Sequence, residues 1–164
     1  MSNRTKRIDV HSHVLPRELI ELIRARPRDY GMRVEGAGAD EKFVRDDKHG
    51  TPIYAEFFDA DAKVEGMDRK GIDISVISVT PVVFFYELAA DAGAAACRVM
   101  NDGIARMVAA RPDRLRGMAT LPLQNSDAAI AELERVVKEL GFRSAELGCR
   151  VRGELLSDEK FRPV

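Results

Sequence analysis

The 164-residue chain contains no tryptophan and only two cysteines, and neither sign of charge dominates its composition. Cys97 and Cys149 form neither a CxxC pair nor the series of close spacings found in disulfide frameworks. We therefore expect both thiols to be buried and inert, in a protein of the reducing cytoplasm. With 26 Lys and Arg against 27 Asp and Glu, the formal net charge is -1, which argues against a nucleic-acid-binding or anionic-membrane-binding protein.

A long hydrophobic run is also missing. The most apolar stretch, residues 74–86, is interrupted by Ser75, Ser78 and Pro81, and it falls short of the ~18 uninterrupted residues that a membrane-spanning helix needs. At the N-terminus, too few apolar residues follow the basic ones to form a signal peptide. A chain that is 45% hydrophobic and 32% charged at this length is typical of one ordinary globular domain.

Strand-like and helix-like segments alternate along the chain. The predicted strands cover residues 7–10, 72–79, 115–121 and 142–147. Helices are predicted to begin at Pro16, at Asp59 as the N-cap, after the second strand, and at Ser126 or Asp127, with one more starting at Ser157. The glycine-rich segment at about 31–58 interrupts this order as a small insertion, with a hairpin around residues 48–50.

The two longer helices carry apolar stripes at helical spacing. These are Ala92, Ala96, Val99, Gly103 and Met107 in the first, and Ile130, Leu133, Val137 and Leu140 in the second. Strands separated by such helices predict an α/β fold with a parallel sheet. An open doubly wound sheet and part of a (β/α)8 barrel both fit. No phosphate-binding glycine fingerprint follows a predicted strand, so the dinucleotide-binding form of the open sheet loses its main support.

His11 and His13 follow the first predicted strand directly. In an extended chain, residues i and i+2 point to the same side, so both imidazoles project from the carboxyl end of the strand, where barrel enzymes place their chemistry. Two imidazoles directed at one point favour a divalent metal site, with zinc as the expected ion. The alternative is a pair of surface histidines in a turn.

A catalytic metal generally keeps three protein ligands, and the sequence does not supply the third with the same clarity. His49 lies in the insertion, where we expect it to be exposed to solvent. Glu146, on the fourth predicted strand, and Cys149, just beyond it, could both reach the mouth of a barrel. We interpret both as structural residues, which leaves the metal site incomplete.

The residues around the histidine pair resemble the opening of the metal-dependent amidohydrolase superfamily. The resemblance is to the branch that contains 2-amino-3-carboxymuconate-6-semialdehyde decarboxylase and related carboxylate-removing enzymes. It is carried by residues 7–16, 58–59, 67–72, 77–81, 117–124 and 137–142, and is loosest at 28–50. It therefore spans nearly all of the chain in one register.

This resemblance implies the N-terminal half of a (β/α)8 barrel, with about four βα units and the insertion after the first helix. It implies His11 and His13 as the first two metal ligands, and it would place the other ligands and the catalytic histidine beyond Val164. The implied activity is removal of a carboxylate from an unsaturated or aromatic acid, or hydrolysis on the same scaffold. The alternative is a non-catalytic truncated remnant, or a half barrel that assembles with itself or with a missing half.

The resemblance also implies a substrate ligand. The related decarboxylase binds the substrate carboxylate through an arginine in the insertion, and the aligned position here is Thr51. The nearest arginine is Arg45, which we take as the candidate substrate-binding residue because a guanidinium binds a carboxylate in two-point fashion and a threonine does not. An unrelated α/β binding module is the third reading, and it leaves the position of the histidines unexplained.

Overall fold

The computed structural model describes residues 5–45 and 50–164. The strands are β1 (Ile8–Val14), β2 (Arg33–Glu35), β3 (Lys42–Val44), β4 (Thr51–Pro52), β5 (Ile74–Val79), β6 (Leu115–Gly117), β7 (Arg150–Val151) and β8 (Glu154–Leu155). The helices are α1 (Arg17–Ala25), α2 (Ala55–Phe58), α3 (Ala60–Lys70), α4 (Ala90–Ala110) and α5 (Ser126–Lys138). Short 3-10 turns occur at Gly38–Asp40, Pro81–Val83 and Glu159–Phe161.

A parallel sheet in the order β1–β5–β6 forms the centre of the fold. Ile77 and Val79 of β5 are fully buried, as are Met100 and Ile104 of α4, and all four belong to one hydrophobic core. Because side chains alternate along a strand, Ser78 and its β1 partner His13 lie on the opposite face of the sheet. The histidines therefore lie on the face opposite the core, at the carboxyl ends of the strands.

The predicted fourth strand at residues 142–147 is reduced to a single bridge. Ala119 and Ala145 form an isolated parallel bridge, in which Ala119 N donates to Ser144 O and Glu146 N donates to Ala119 O, both at 2.8 Å. The predicted strand at 115–121 is likewise shorter and ends at Gly117. Residues 142–147 contain no β-branched side chain, whereas four of the six residues of β5 are Ile or Val, and this accounts for the weaker pairing.

Two helix ends follow the expected capping chemistry. Asp59 Oδ1 accepts hydrogen bonds from Asp61 N and Ala62 N, both at 2.9 Å, and Gly71 ends α3 in the left-handed region at φ 67°. α5 begins at Ser126, one of the two predicted starts. Asn125 is its N-cap, and its side-chain oxygen accepts from Ala128 N at 2.9 Å.

The apolar stripe predicted for α5 is only half buried. The buried residues of the helix are Ala129, Glu132, Arg135 and Val136, and none of them belongs to the stripe. Val137 of the predicted stripe remains 43% exposed. The reason is a buried polar cluster: Arg135 donates to Glu132, which accepts from Asn101 Nδ2 of α4 at 2.8 Å. In α4, Ala96, Gly103 and Met107 of the predicted stripe are buried, while Ala92 and Val99 are half-buried.

The insertion forms its own small antiparallel sheet, β2–β3–β4, followed by α2. The predicted hairpin coincides with the connection between β3 and β4, but its tip at residues 46–49, including His49, lies outside the described residues. The β7–β8 hairpin was not predicted. The helix predicted from Ser157 is wrong, since the chain there makes one 3-10 turn after Asp158, whose Oδ2 accepts from Leu155 N at 3.1 Å.

The cysteine prediction is half right. Cys97 is buried in the core, and burial raises the pKa of its thiol to about 12. Cys149 is exposed, so its interpretation as a buried thiol is wrong; it lies in the loop after the fourth strand segment, outside the core. Among the helices within residues 5–45 and 50–164, none combines the length and the apolar character needed to cross a membrane.

Candidate metal centre

His11 and His13 lie within β1 and not after it, because this strand continues to Val14. Between Asp9 and Ser12 the strand contains one more residue than β5 does between Ser75 and Ile77, which is a β-bulge. Asp9 Oδ1 accepts a hydrogen bond from His11 N at 3.1 Å within this irregular stretch. The two imidazole rings lie edge to face, with centroids 4.6 Å apart, so they share one side of the strand as predicted.

Glu146 joins the histidine pair from the fourth strand segment. One ligand atom from each of His11, His13 and Glu146 lies within 4.8 Å of the other two. The bridge between Ala119 and Ala145 fixes the backbone directly before Glu146, and the Glu146 side chain is only 14% exposed. The structure thus brings to the histidines a residue that the sequence led us to interpret as structural.

The donor set fits a divalent metal. Glu146 Oε2 is buried and has no hydrogen-bond partner among the described residues, and its nearest ionisable contact, His13 Nδ1, is 3.9 Å away. A buried carboxylate oxygen without a partner is unfavourable, and a cation would satisfy it. Ligand atoms around a tetrahedral zinc ion with bonds of ~2.1 Å stand roughly 3.4 Å apart, so small side-chain rotations would close this cluster around one ion.

Two further side chains support the position of His13. Ser78 Oγ of the adjacent strand lies 3.5 Å from His13 Nδ1, and Lys63 Nζ of α3 donates to the backbone carbonyl of His13 at 3.0 Å. Lys63 is buried, and the burial lowers the pKa of its ammonium group while the charge of Glu56 acts in the opposite direction. These contacts hold the end of β1 from both sides.

A pocket of about 510 Å³ includes Gly148, two residues beyond Glu146, in its lining, whereas His11, His13 and Glu146 themselves do not line it. It is bounded by the insertion, by the loop after β5 and by the segment after Glu146. The residues that line it are Met32, Phe43, Arg45, Thr51, Pro81, Val82, Phe84, Phe85, Tyr86, Glu87, Gly148 and Arg150. The predicted substrate residue Arg45 and the aligned position Thr51 therefore lie on the same pocket.

Arg45 is already engaged in an ion pair. Its Nη1 lies 2.6 Å from Glu87 Oε1, and its Nη2 donates to the carbonyl of Val82 at 3.2 Å. Both charged side chains are partly exposed, so solvent screens the pair and its contribution to stability is small. Arg150 lines the same pocket and was not singled out by the sequence, because nothing in the local pattern separates it from other surface arginines.

The loop after β5 is held by contacts from the segment that follows Glu146. Tyr86 Oη accepts a hydrogen bond from Gly148 N at 3.1 Å, and burial raises the pKa of the Tyr86 phenol to about 12. Arg152 donates from Nε to the carbonyl of Tyr86 at 2.9 Å and from Nη2 to that of Leu88 at 2.8 Å. Phe85, which lines the pocket, and Arg152, which holds this loop, both have positive φ, 54° and 52°, so the backbone is strained at both residues.

Comparison with known proteins agrees with this architecture. Residues 8–164 match the amidohydrolase family. The chain is 30% identical to 2-amino-3-carboxymuconate-6-semialdehyde decarboxylase of Dictyostelium discoideum, over 98% of this chain and 45% of that protein. It therefore spans less than half the length of this relative.

Two solved structures share the fold. The apo form of IDCase from Metarhizium anisopliae matches with a TM-score of 0.81 and 22% identity, over 98% of this chain and 47% of that one. The 5-carboxyvanillate decarboxylase of Novosphingobium aromaticivorans, in complex with manganese and 4-hydroxy-3-methoxy-5-nitrobenzoic acid, matches with a TM-score of 0.74 and 24% identity, over 96% of this chain and 46% of that one. The predicted half of a (β/α)8 barrel is confirmed, and the chain belongs to the amidohydrolase family.

Proposed function

We propose that this chain provides the metal-binding part of a metal-dependent carboxy-lyase that acts on an aromatic or unsaturated carboxylate. The observation that carries the proposal is the convergence of His11, His13 and Glu146 at the carboxyl ends of the strands. The two similar proteins named above as decarboxylases favour carboxylate removal over hydrolysis, the alternative on the same scaffold.

We propose zinc as the metal. Two imidazoles and one carboxylate are a ligand set used by catalytic zinc sites, which keep a further position for water or substrate. The related Novosphingobium enzyme was solved with manganese, so manganese is the competing ion. When bound, a zinc ion lowers the pKa of its water to about 7 and polarises an adjacent oxygen atom.

The side chains of the pocket have the chemistry to bind the substrate. Decarboxylation breaks the bond between a ring carbon and the carboxylate, which leaves as carbon dioxide, and the ring carbon takes up a proton in its place. Arg45 can donate hydrogen bonds to the carboxylate, and the aromatic rings of Phe84 and Tyr86 can pack against a flat ring. Tyr86 is a neutral phenol at neutral pH, and burial moves its pKa still further from neutrality, to about 12.

A second candidate role is that of a half barrel that works only when assembled with further strands. The observation that favours it is on β1, where Ile8 and Val10 are 54% and 64% exposed. Apolar side chains on an outer strand of a sheet are suited to pairing with another chain. In this role the metal would be shared with residues outside this chain or with a second copy, and the mass of the metal-loaded species in solution distinguishes the two roles.

Metal stoichiometry tests the proposal. The purified chain is loaded with zinc, freed of excess metal by desalting and assayed by elemental analysis, beside His11→Ala, Glu146→Gln and the control Glu139→Gln, which changes an exposed glutamate at the end of α5. We expect close to one zinc per chain in the parent and the control, and little in the other two. Equal retention by Glu146→Gln would remove Glu146 from the site, and a parent chain that retains no zinc would overturn the proposal.

The same preparations test the reaction. Metal-loaded parent chain is incubated with hydroxybenzoate-type carboxylates, and carbon dioxide release is measured beside His11→Ala. Release by the parent that is lost in the variant is the expected result. A chain that binds zinc stoichiometrically, elutes as an oligomer and releases no carbon dioxide would favour the assembly role.

A further inference from the structure

Among the described residues, the lining of the pocket carries one uncompensated positive charge. Within residues 5–45 and 50–164, three charged side chains line it, Arg45, Glu87 and Arg150. Arg45 and Glu87 neutralise each other at 2.6 Å, so the third residue decides the charge of the lining. Arg150 donates from Nη1 to the carbonyl of Gly153 at 2.9 Å, and within the described parts of the chain it has no carboxylate partner. The charged lining residues that the structure describes therefore sum to one positive charge, at Arg150.

The remainder of the pocket suits a flat apolar body. Phe43, Phe84 and Tyr86 are all buried and contribute their rings to the lining. The rings of Phe84 and Tyr86 lie with centroids 5.4 Å apart at 36°, and Gly148 lies directly against them, since a Cβ there would be 2.9 Å from the Tyr86 ring. Gly148 is two residues beyond Glu146, so this aromatic wall and the metal centre share one segment of backbone.

We propose that Arg150 is the principal carboxylate-binding residue of this pocket, and that Glu87 limits Arg45 to a secondary contact. The inference rests on the proposed function for the identity of the ligand as a substrate. A second carboxylate would meet only the Arg45–Glu87 pair, in which the guanidinium charge is already balanced. The pocket therefore selects a planar acid with one carboxylate over a dicarboxylate.

Calorimetric titration of the metal-free chain tests this assignment independently of the metal centre. The probes are 4-hydroxybenzoate, its neutral amide 4-hydroxybenzamide, and isophthalate as the dicarboxylate. Because charge-assisted hydrogen bonds are about twice as strong as neutral ones, we expect 4-hydroxybenzoate to bind at least about tenfold more tightly than the amide. Isophthalate should bind no more tightly than 4-hydroxybenzoate.

The variants assign the charge to a residue. Arg150→Gln should remove the preference for the acid over the amide, Arg150→Lys should keep part of it, and Arg45→Gln should reduce acid binding by less than about threefold. Arg143→Gln, an exposed arginine on the same segment that does not line the pocket, is the matched control and should bind as the parent does. Circular dichroism verifies that each variant is folded.

Glu87→Gln tests the selectivity. It releases Arg45 from its ion pair, and we expect isophthalate to gain at least about fivefold over 4-hydroxybenzoate relative to the parent. An unchanged preference for the acid in Arg150→Gln, a larger loss in Arg45→Gln than in Arg150→Gln, or equal binding of acid and amide by the parent would each overturn the assignment. A chain that fails to bind zinc but passes this titration would refute the metal centre and leave the Arg150 assignment standing.

Discussion

Arg152 connects two of the three segments that bound the pocket, the loop after β5 and the segment after Glu146. Its backbone conformation lowers the stability of the fold and its hydrogen bonds raise it, and substitutions of Arg152 can measure the two effects separately. It occupies the turn between β7 and β8, where both Arg152 and Gly153 have positive φ, 52° and 88°. A two-residue hairpin turn of this kind favours glycine or asparagine, and a longer side chain in the left-handed region costs roughly 1 kcal/mol. Its guanidinium offsets this cost by donating to the carbonyls of Tyr86, Glu87 and Leu88.

The size of the offset follows from these contacts. A hydrogen bond from a charged donor contributes ~1.5–3 kcal/mol when it is buried, but this side chain is largely exposed, so we assign about 2 kcal/mol to the three contacts together. Arg152→Ala loses that contribution and keeps the strain. Arg152→Gly loses the contacts but relieves the strain, so it should be destabilised by only about 1 kcal/mol.

Urea unfolding of the three proteins measures this order. We expect the free energy of unfolding to decrease from the parent to Arg152→Gly and then to Arg152→Ala, in steps of about 1 kcal/mol. Both variants should also weaken 4-hydroxybenzoate binding, because the loop that carries Tyr86 and Glu87 is then held by fewer bonds. Equal stability of the glycine and alanine variants would refute the backbone strain at residue 152. A parent no more stable than Arg152→Ala would refute the contribution of the hydrogen bonds from the Arg152 guanidinium.

Three further predictions concern two buried side chains and two glycines with positive φ. Burial raises the pKa of the Cys97 thiol from 9.0 to about 12, so at pH 10 the folded state keeps a proton that the unfolded chain releases. The free energy of unfolding of the parent should therefore fall by about 1.4 kcal/mol between pH 7 and pH 10, relative to Cys97→Ala. Urea titrations at the two pH values measure this difference. Asn101→Leu should cost about 2 to 4 kcal/mol in the same assay, because Asn101 bonds both N and O of Thr120; a loss below about 1 kcal/mol would contradict this role. Gly71→Ala and Gly141→Ala should each lower the thermal midpoint, because both positions have positive φ. Gly71→Ala should lower it more, since its Cβ would lie 3.0 Å from the Arg7 guanidinium whereas a Cβ at Gly141 has free space. Equal shifts would argue against the contact with Arg7.

The sequence predicted the parts of the fold that depend on local chemistry. The alternation of strands and helices, the Asp59 cap and the Gly71 end of α3 all follow from residue type and spacing. The predicted pairing of His11 with His13 needed only the two-residue period of an extended chain. The end of β1 was predicted too early, at residue 10. The polar residues 11–13 do not follow a strand pattern, although Ser12 and His13 pair with β5.

Glu146 shows why the rest of the candidate site could not be predicted. Its approach to the histidines depends on the bridge between Ala119 and Ala145, a contact between two segments that are separated along the chain and carry no alternating pattern. The burial of charged side chains on α5 likewise depends on contacts with a distant segment. Glu132 and Arg135 look like surface charges in the sequence, and only their contacts with Asn101 and Asp102 of α4 make them buried.

The weak pairing of the fourth strand segment has a consequence for the site. Glu146 is held by one bridge, and the residues after it depend on the bond from Gly148 N to Tyr86 and on Arg152. The histidines, in contrast, lie on a strand that pairs along most of its length with β5. Side chains on regular strands are positioned more accurately than those on loops, so the carboxylate is the adjustable member of the ligand set. Because Arg150 lies four residues beyond Glu146 on the same segment, a shift that brings the carboxylate to a metal also moves Arg150, which lines the pocket. Metal binding and carboxylate binding should therefore be coupled through residues 146–152, and the coupling should weaken in Arg152→Ala.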